Sequence, residues 1–357
     1  MDGGKFVETD EKKLRCFVKK RGRIKENHGR GTGVKRKWLF RLLLGLLGAV
    51  IGFQVLFLLY FRAFYSTADK AFWVPGLNGD FVPQGIDACG EGYLISGYRA
   101  DSGTSRVYWV APGGTANGMR VRLEDGGVLA CHAGGIAVGD TFTYLVGGGQ
   151  CYVLSTEALM DPERTEAEVL GSFSTGNRAS FCCLTDGMLV VGEYACGERY
   201  TTAETHRMTT PAGDRNTALA WVFPLDETEP LGVREVPEAA VSLPERIQGL
   251  CLSNDGRAVL SASSAFGASQ LYLYDVKTVT EGRQGICFWD NGHPVPLFYV
   301  DSAAGTDILP LPPKAEEPMF HNGKLYILFE SASYRFRYGK LVGGNYVYSM
   351  SLPERGD

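Results

Sequence analysis

Eight side chains of hydrogen-bonding type stand in short segments that follow a common pattern: Gln84, His132, Arg178, Glu193, Arg246, Gln248, Glu317 and Glu330. One histidine, two arginines, two glutamines and three carboxylates offer directional donors and acceptors, a set suited to a sugar or an acidic ligand. Glu193 and Glu330 would suit glycoside chemistry if they stood about 5–10 Å apart. Each residue also has a plain structural use. Gln and Arg can satisfy neighbouring backbone groups, His132 can make a structural hydrogen bond, and the two glutamates can pair with arginine between neighbouring sheets. Other catalytic signatures do not occur: there is no Gly-x-Ser-x-Gly elbow and no His-Glu-x-x-His zinc motif. His206, His293 and His321 fall in polar stretches without ligand spacing. Asn254-Asp255-Gly256 reads as a hairpin turn and not as part of a calcium loop, because no ligand array follows.

These residues acquire a common position only if the segments around them repeat. A two-strand phrase does recur. Its first strand reads at Tyr93–Tyr98, Tyr144–Gly149, Leu189–Tyr194, Ala258–Ser263 and Leu325–Ser331. A second strand follows at Arg106–Val110, Cys151–Ser155, Ala220–Asp226, Leu271–Asp275 and Tyr346–Met350. Before each pair runs a short lead-in, at Pro83–Ile86, His132–Ile136, Ala179–Cys183, Ile247–Leu250 and Glu317–Phe320. Centres near Tyr108, Val153, Val222, Tyr272 and Val347 give intervals of 45, 69, 50 and 75 residues. Propeller blades of about 40–50 residues with four strands each produce this spacing. The expectation is an all-β fold, a β-propeller of five blades (alternatively six), preferred to a β-sandwich. Outer strands are expected at Arg120–Leu123, Val169–Phe173, Val233–Val236 and Val295–Val300. The last pair has no outer strand after it, and Phe72-Trp73-Val74 could supply one and close the ring, which would remove exposed strand edges. In such a ring the lead-ins converge on one end of the central channel, and the eight residues would surround a common mouth.

Ahead of the repeat lies a different kind of sequence. Leu42–Tyr60 is 19 residues without a charge, about 28 Å as a helix and close to the thickness of a bilayer core. Trp38 and Tyr60 mark its ends at headgroup level. Residues 1–41 carry 14 Lys and Arg against 5 Asp and Glu, or +9, so the rest of the chain carries −4 minus +9, or −13. Lys35, Arg36 and Lys37 just before the apolar run place the N-terminus in the cytoplasm and the rest outside the cell membrane, with the helix an uncleaved signal-anchor. The expected organisation is a disordered basic tail over 1–37, a single transmembrane α-helix over 38–61, a linker and closing strand over 62–79, and the extracytoplasmic propeller over 80–357. The bilayer is then one partner. Nucleic acid is not, since only Phe6 and Phe17 are interleaved with the basic run. Of nine cysteines, Cys16 falls inside the cell and eight outside, where disulfides such as Cys151–Cys196 or Cys131–Cys183 and free buried thiols are both open.

Four stretches carry a resemblance: Pro83–Gly85, His132–Val138, Glu245–Ser253 and Tyr326–Arg337. Over most of residues 80–350 the chain resembles an uncharacterised group of secreted and membrane-anchored bacterial β-propellers, and more distantly gluconolactonase and strictosidine-synthase-like propellers. The lactonase likeness implies a divalent cation in the channel, held by Glu, Asn and Asp. Here Gln84 and Gln248 stand where a carboxylate is expected and no Asn-Asn-Asp set matches, so no cofactor is expected, and a divalent cation in the channel stays an open alternative that these residues do not support. Two functions follow from these readings. The first is a binding or scaffolding module displayed at the cell surface for a cell-wall polymer, a carbohydrate or a surface protein. The alternative is a hydrolase or lyase acting on a carbohydrate or lactone in the channel.

Overall fold

The computed structural model of the protein describes residues 36–264, 267–339 and 344–355; Cys16 and most of the basic tail lie outside the described residues. Contacts divide the chain between Tyr60 and Phe61 into two units. The first contains the helix Arg36–Tyr60, 25 residues long. By length and composition it can cross a membrane, and its Leu, Val, Ile and Phe side chains project outward all round.

The second unit is built from blades of four antiparallel strands, the first two of which join edge to edge where Arg120, Val121 and Arg122 pair in parallel with Glu166, Ala167 and Glu168. Blade I runs through Phe81–Cys89, Gly92–Arg99, Ser105–Val110 and Ala116–Arg122. Blade II follows with Gly135–Val138, Phe142–Gly147, Gln150–Ser155 and Glu166–Ser174. The last of these shows why the sequence makes strands: Ala167, Val169, Gly171 and Phe173 turn inward while Glu166, Glu168, Leu170 and Ser172 face out. Blade III consists of Ala179–Thr185, Met188–Glu193, Ala218–Pro224 and Ala239–Leu243. Blade IV consists of Ile247–Leu252, Arg257–Ala262, Ser269–Asp275 and Gly305–Leu311. Blade V joins Ala315–His321, Lys324–Phe329 and Tyr346–Met350 to Asp69–Trp73 from the start of the unit, with Phe72 opposite Val347 and Trp73 opposite Tyr346. The innermost strand of each blade packs against those of its two neighbours, so the ring is closed and the fold is a β-propeller. Apolar side chains fill the wedges between blades, as where Val153, Leu189 and Trp221 meet.

Two expected outer strands are displaced. Blade III ends on Ala239–Leu243, and Val233 makes only an isolated bridge to Leu225. Val295–Val300 belongs to a hairpin, Gly285–Trp289 with His293–Tyr299, inserted before the real outer strand of blade IV. Its second arm pairs in parallel with Ala240–Ser242 and widens blade III. This insertion accounts for part of the 75-residue interval, and the segment between Glu193 and Ala218, with its small hairpin Met208–Thr209 and Arg215–Asn216, accounts for the 69.

Candidate functional site: a carboxylate-rich channel

The innermost strand of blade V carries Glu316 and Glu317 in succession, and its register slips there between Ala315 and Pro318. The bulge lets both side chains turn inward, so that Glu316 is 3% and Glu317 1% exposed. Glu317 Oε2 accepts the backbone amides of Ile86 at 3.0 Å and Ile136 at 3.1 Å, and Oε1 accepts that of Cys182 at 3.2 Å. One carboxyl group thus joins the innermost strands of blades I, II and III to blade V. Gly85 leaves the room: a Cβ there would lie 2.7 Å from Oε2 and 2.9 Å from the Ile136 nitrogen. Burial drives the Glu317 pKa well up; the three amides oppose that shift, and Asp87 adds to it.

At the end of the channel where the innermost strands begin, a second group forms around Glu330. Its Oε2 takes an ion pair from Lys314 at 2.8 Å and its Oε1 accepts from Gln84 Nε2 at 3.3 Å. Glu316 lies in the same neighbourhood, and its buried Oε1 has no hydrogen-bond partner among the described residues. Its carboxyl is pushed well up, first by burial and then by Glu330, with Lys314 partly offsetting. His132 stacks on Tyr98 with ring centroids 4.5 Å apart and 7° from parallel. Lost water on the packed side lowers the His132 pKa, Glu330 opposes this and Arg335 adds to it. Burial, then Glu330, pushes the Tyr98 hydroxyl far up. Tyr194 donates to the Ser263 carbonyl at 3.1 Å, and the Glu316 carboxylate is among the charges that raise its pKa.

Of the eight expected site residues, this group brings together Gln84, His132 and Glu330. Glu193 is drawn away from them, into blade III. Its Oε1 meets His206 Nδ1 at 2.7 Å and accepts the Leu219 amide at 3.1 Å, while Oε2 accepts the Arg178 amide at 3.3 Å. The Arg178 side chain is exposed and donates to the Thr201 carbonyl, and Arg246 is exposed and pairs with Glu245. Gln248 is half-buried. Sequence reasoning missed Lys314, Glu316 and His206. A doubled Glu in a lead-in was a usable signal for Glu316, whereas His206 sits in an insertion that has no counterpart in other blades.

Toward the other end, where the innermost strands finish, lies a cavity of about 460 Å³. Glu317 is the only one of the eight expected residues that lines it. Its other walls include Asp87, Cys183, Cys251 and Asn254. Asp87 Oδ1 accepts the Ala88 amide and Oδ2 the Val138 amide, each at 2.8 Å. Burial nevertheless pushes its pKa up to about 6. All eight described cysteines are free thiols. No group of three or more His, Cys, Asp or Glu suited to a metal ion occurs among the described residues.

Solved structures similar to this chain include two sugar dehydrogenases and a nidogen/laminin complex. An oxidoreductase (glucose dehydrogenase) of Thermus thermophilus aligns with TM-score 0.42 and 13% identity, over 80% of this chain and 99% of that one. The PQQ-bound aldose sugar dehydrogenase of Streptomyces coelicolor gives 0.41 and 10%, over 79% and 97%. The nidogen/laminin complex gives 0.37 and 11%, over 70% and 73%. No family model and no curated protein matches the chain.

Proposed function

We propose that this protein is a membrane-anchored, extracytoplasmic binding module, with a hydroxyl-rich ligand such as a carbohydrate or cell-wall polymer segment seated at the mouth around Tyr98, His132, Glu316 and Glu330. The observation that carries this reading is the buried Glu316 carboxyl, whose Oε1 has no hydrogen-bond partner among the described residues and which lies near Tyr98 and Tyr194. A buried acceptor without a donor costs about 1–3 kcal/mol, and a ligand hydroxyl would relieve that cost. The exposed His132 ring, backed by the buried Tyr98 stacked beneath it, offers a flat surface that a sugar ring can pack against. Support for display outside the cell comes from the apolar helix and from Lys35, Arg36 and Lys37 at its start.

The competing reading, a hydrolase or lyase, asks His132, Glu193 and Glu330 to act together. Glu193 is committed to His206 and two backbone amides, and Glu330 to Lys314 and Gln84. That commitment favours binding. The test is thermal melting of the full chain in detergent against sugars, cell-wall fragments and lactones. A ligand at 100 times its dissociation constant adds about 2.7 kcal/mol of stability. A shift that disappears in Glu316→Ala supports the reading. Turnover of any of these compounds that depends on Glu330 would refute it.

A further inference from the structure

The cavity at the far end of the channel has a chemistry unlike that of the mouth. Among its lining residues there is no Lys, Arg or His, and the charged ones are Asp87, Asp186 and Glu317. Glu317 has committed its oxygens to three backbone amides. Asp87 is different. Each of its oxygens accepts one backbone amide, from Ala88 and Val138, which fixes the carboxylate in place, and no cationic side chain among the described residues pairs with it. Each oxygen keeps an unused lone pair. A desolvated carboxylate without a countercharge is a costly arrangement unless something supplies the charge.

We propose that this cavity is a second binding site, for a compact organic compound bearing a primary ammonium group that the Asp87 carboxylate receives. The volume of about 460 Å³ lies within the range of small-molecule sites. Beside Asp87 the lining includes Thr185 and Asn254, residue types whose side-chain oxygens can accept from the other N–H donors of a primary ammonium. Ile86, Ile136, Leu250 and Met319 give a short carbon skeleton apolar contact. An anion would meet three carboxyl groups and no cationic side chain among the lining residues. A divalent metal would need a ligand cluster, which the described residues do not form. A quaternary ammonium would want an aromatic cage, and the wall contains one ring, that of Phe320. Cys251 and Cys183, neither in a disulfide, are also among the lining residues, and burial pushes both thiols far up.

The experiment uses the full chain in detergent, with ethanolamine as the probe and acetate and ethylene glycol as controls. Binding is read as heat by isothermal titration calorimetry and as a shift in melting temperature. Ethanolamine is expected to give saturable heat and to raise the melting temperature, the controls to do neither, and Asp87→Asn to weaken binding about tenfold or more. If Asp87→Asn fails to fold, Cys183→Phe occupies the cavity directly, and the ethanolamine signal must then vanish. Glu316→Ala, at the other mouth, must leave the signal intact, which separates this site from the carbohydrate site proposed above. Equal binding of ethylene glycol, no binding of ethanolamine, or binding that survives Asp87→Asn would overturn the proposal.

Discussion

Glu317 Oε2 accepts the Ile86 amide at 3.0 Å although 231 residues separate the two in sequence. With Ile136 and Cys182 bound to the same carboxyl group, four of the innermost strands are tied at one point on the channel wall. Glu317→Ala leaves three buried amides without acceptors. At about 1–3 kcal/mol each, a loss of at least about 3 kcal/mol is expected in urea unfolding of the full chain in detergent. Glu317→Gln keeps an oxygen for two of the amides and turns an N–H toward the third, so it should cost less than Glu317→Ala. A variant that melts with the wild type would show that the channel does not depend on this carboxyl.

The Gly85 position makes a paired prediction. A Cβ there would meet Glu317 Oε2 at 2.7 Å and Ser96 Oγ at 2.5 Å, so Gly85→Ala is expected to cost about 1–3 kcal/mol by overpacking. In a Glu317→Ala background part of the obstruction is gone, and the same change should cost less. Additive losses in that cycle would mean that the alanine is rejected for another reason.

Much of this architecture was legible because strand pairs leave a period-2 pattern. The expected Tyr346–Met350 strand has the observed bounds, and the expected Tyr93–Tyr98 lies inside Gly92–Arg99. Outer strands were harder to see. Val233–Val236 is as β-prone as Ala239–Leu243, and only the pairing with Ala218–Val222 decides between them. The candidate site was less legible still. Whether a Glu in a lead-in faces ligand, amide or neighbouring blade depends on where the bulge falls, as with Glu316 and Glu317. A one-residue slip exchanges the faces, and neither composition nor spacing encodes it.

His206 and Glu193 test the displaced half of the expected site. Their contact at 2.7 Å is buried, with the His206 ring edge-on to Trp221 at 6.2 Å. A double-mutant cycle with His206→Ala and Glu193→Gln should give a coupling energy of about 1.5–3 kcal/mol by chemical unfolding. A coupling near zero would mean that the two side chains are held by their other partners alone.

Ring closure should depend on Phe72, which stacks on Tyr93 with centroids 4.5 Å apart and lies in the strand that completes blade V. Because Phe72 is half-buried, Phe72→Ala should cost about 1–2 kcal/mol, below the usual range for a core phenylalanine. Removal of Asp69–Trp73 should do more, leaving Tyr346–Met350 as an open edge and lowering the cooperativity of unfolding. Unchanged melting after that deletion would mean that the ring does not need its first strand.

Asp87 predicts a pH dependence of defined sign. Burial raises its pKa in the folded protein to about 6 from an ordinary value of 3.8, so the fold favours the neutral carboxyl. Its contribution to stability is therefore complete below 3.8 and is lost as pH rises through about 6. The full loss is on the order of 3 kcal/mol. Glu316 and Glu317, raised in the same direction, give the wild type a further decline with pH. The difference between wild type and Asp87→Asn isolates Asp87. The variant should lack this segment of the decline, on top of a pH-independent cost for the amide bond that the Asn nitrogen cannot accept. Melting temperatures of both proteins across the range from about 4 to 8 measure it. Parallel curves would mean that Asp87 is already hydrated in the folded protein.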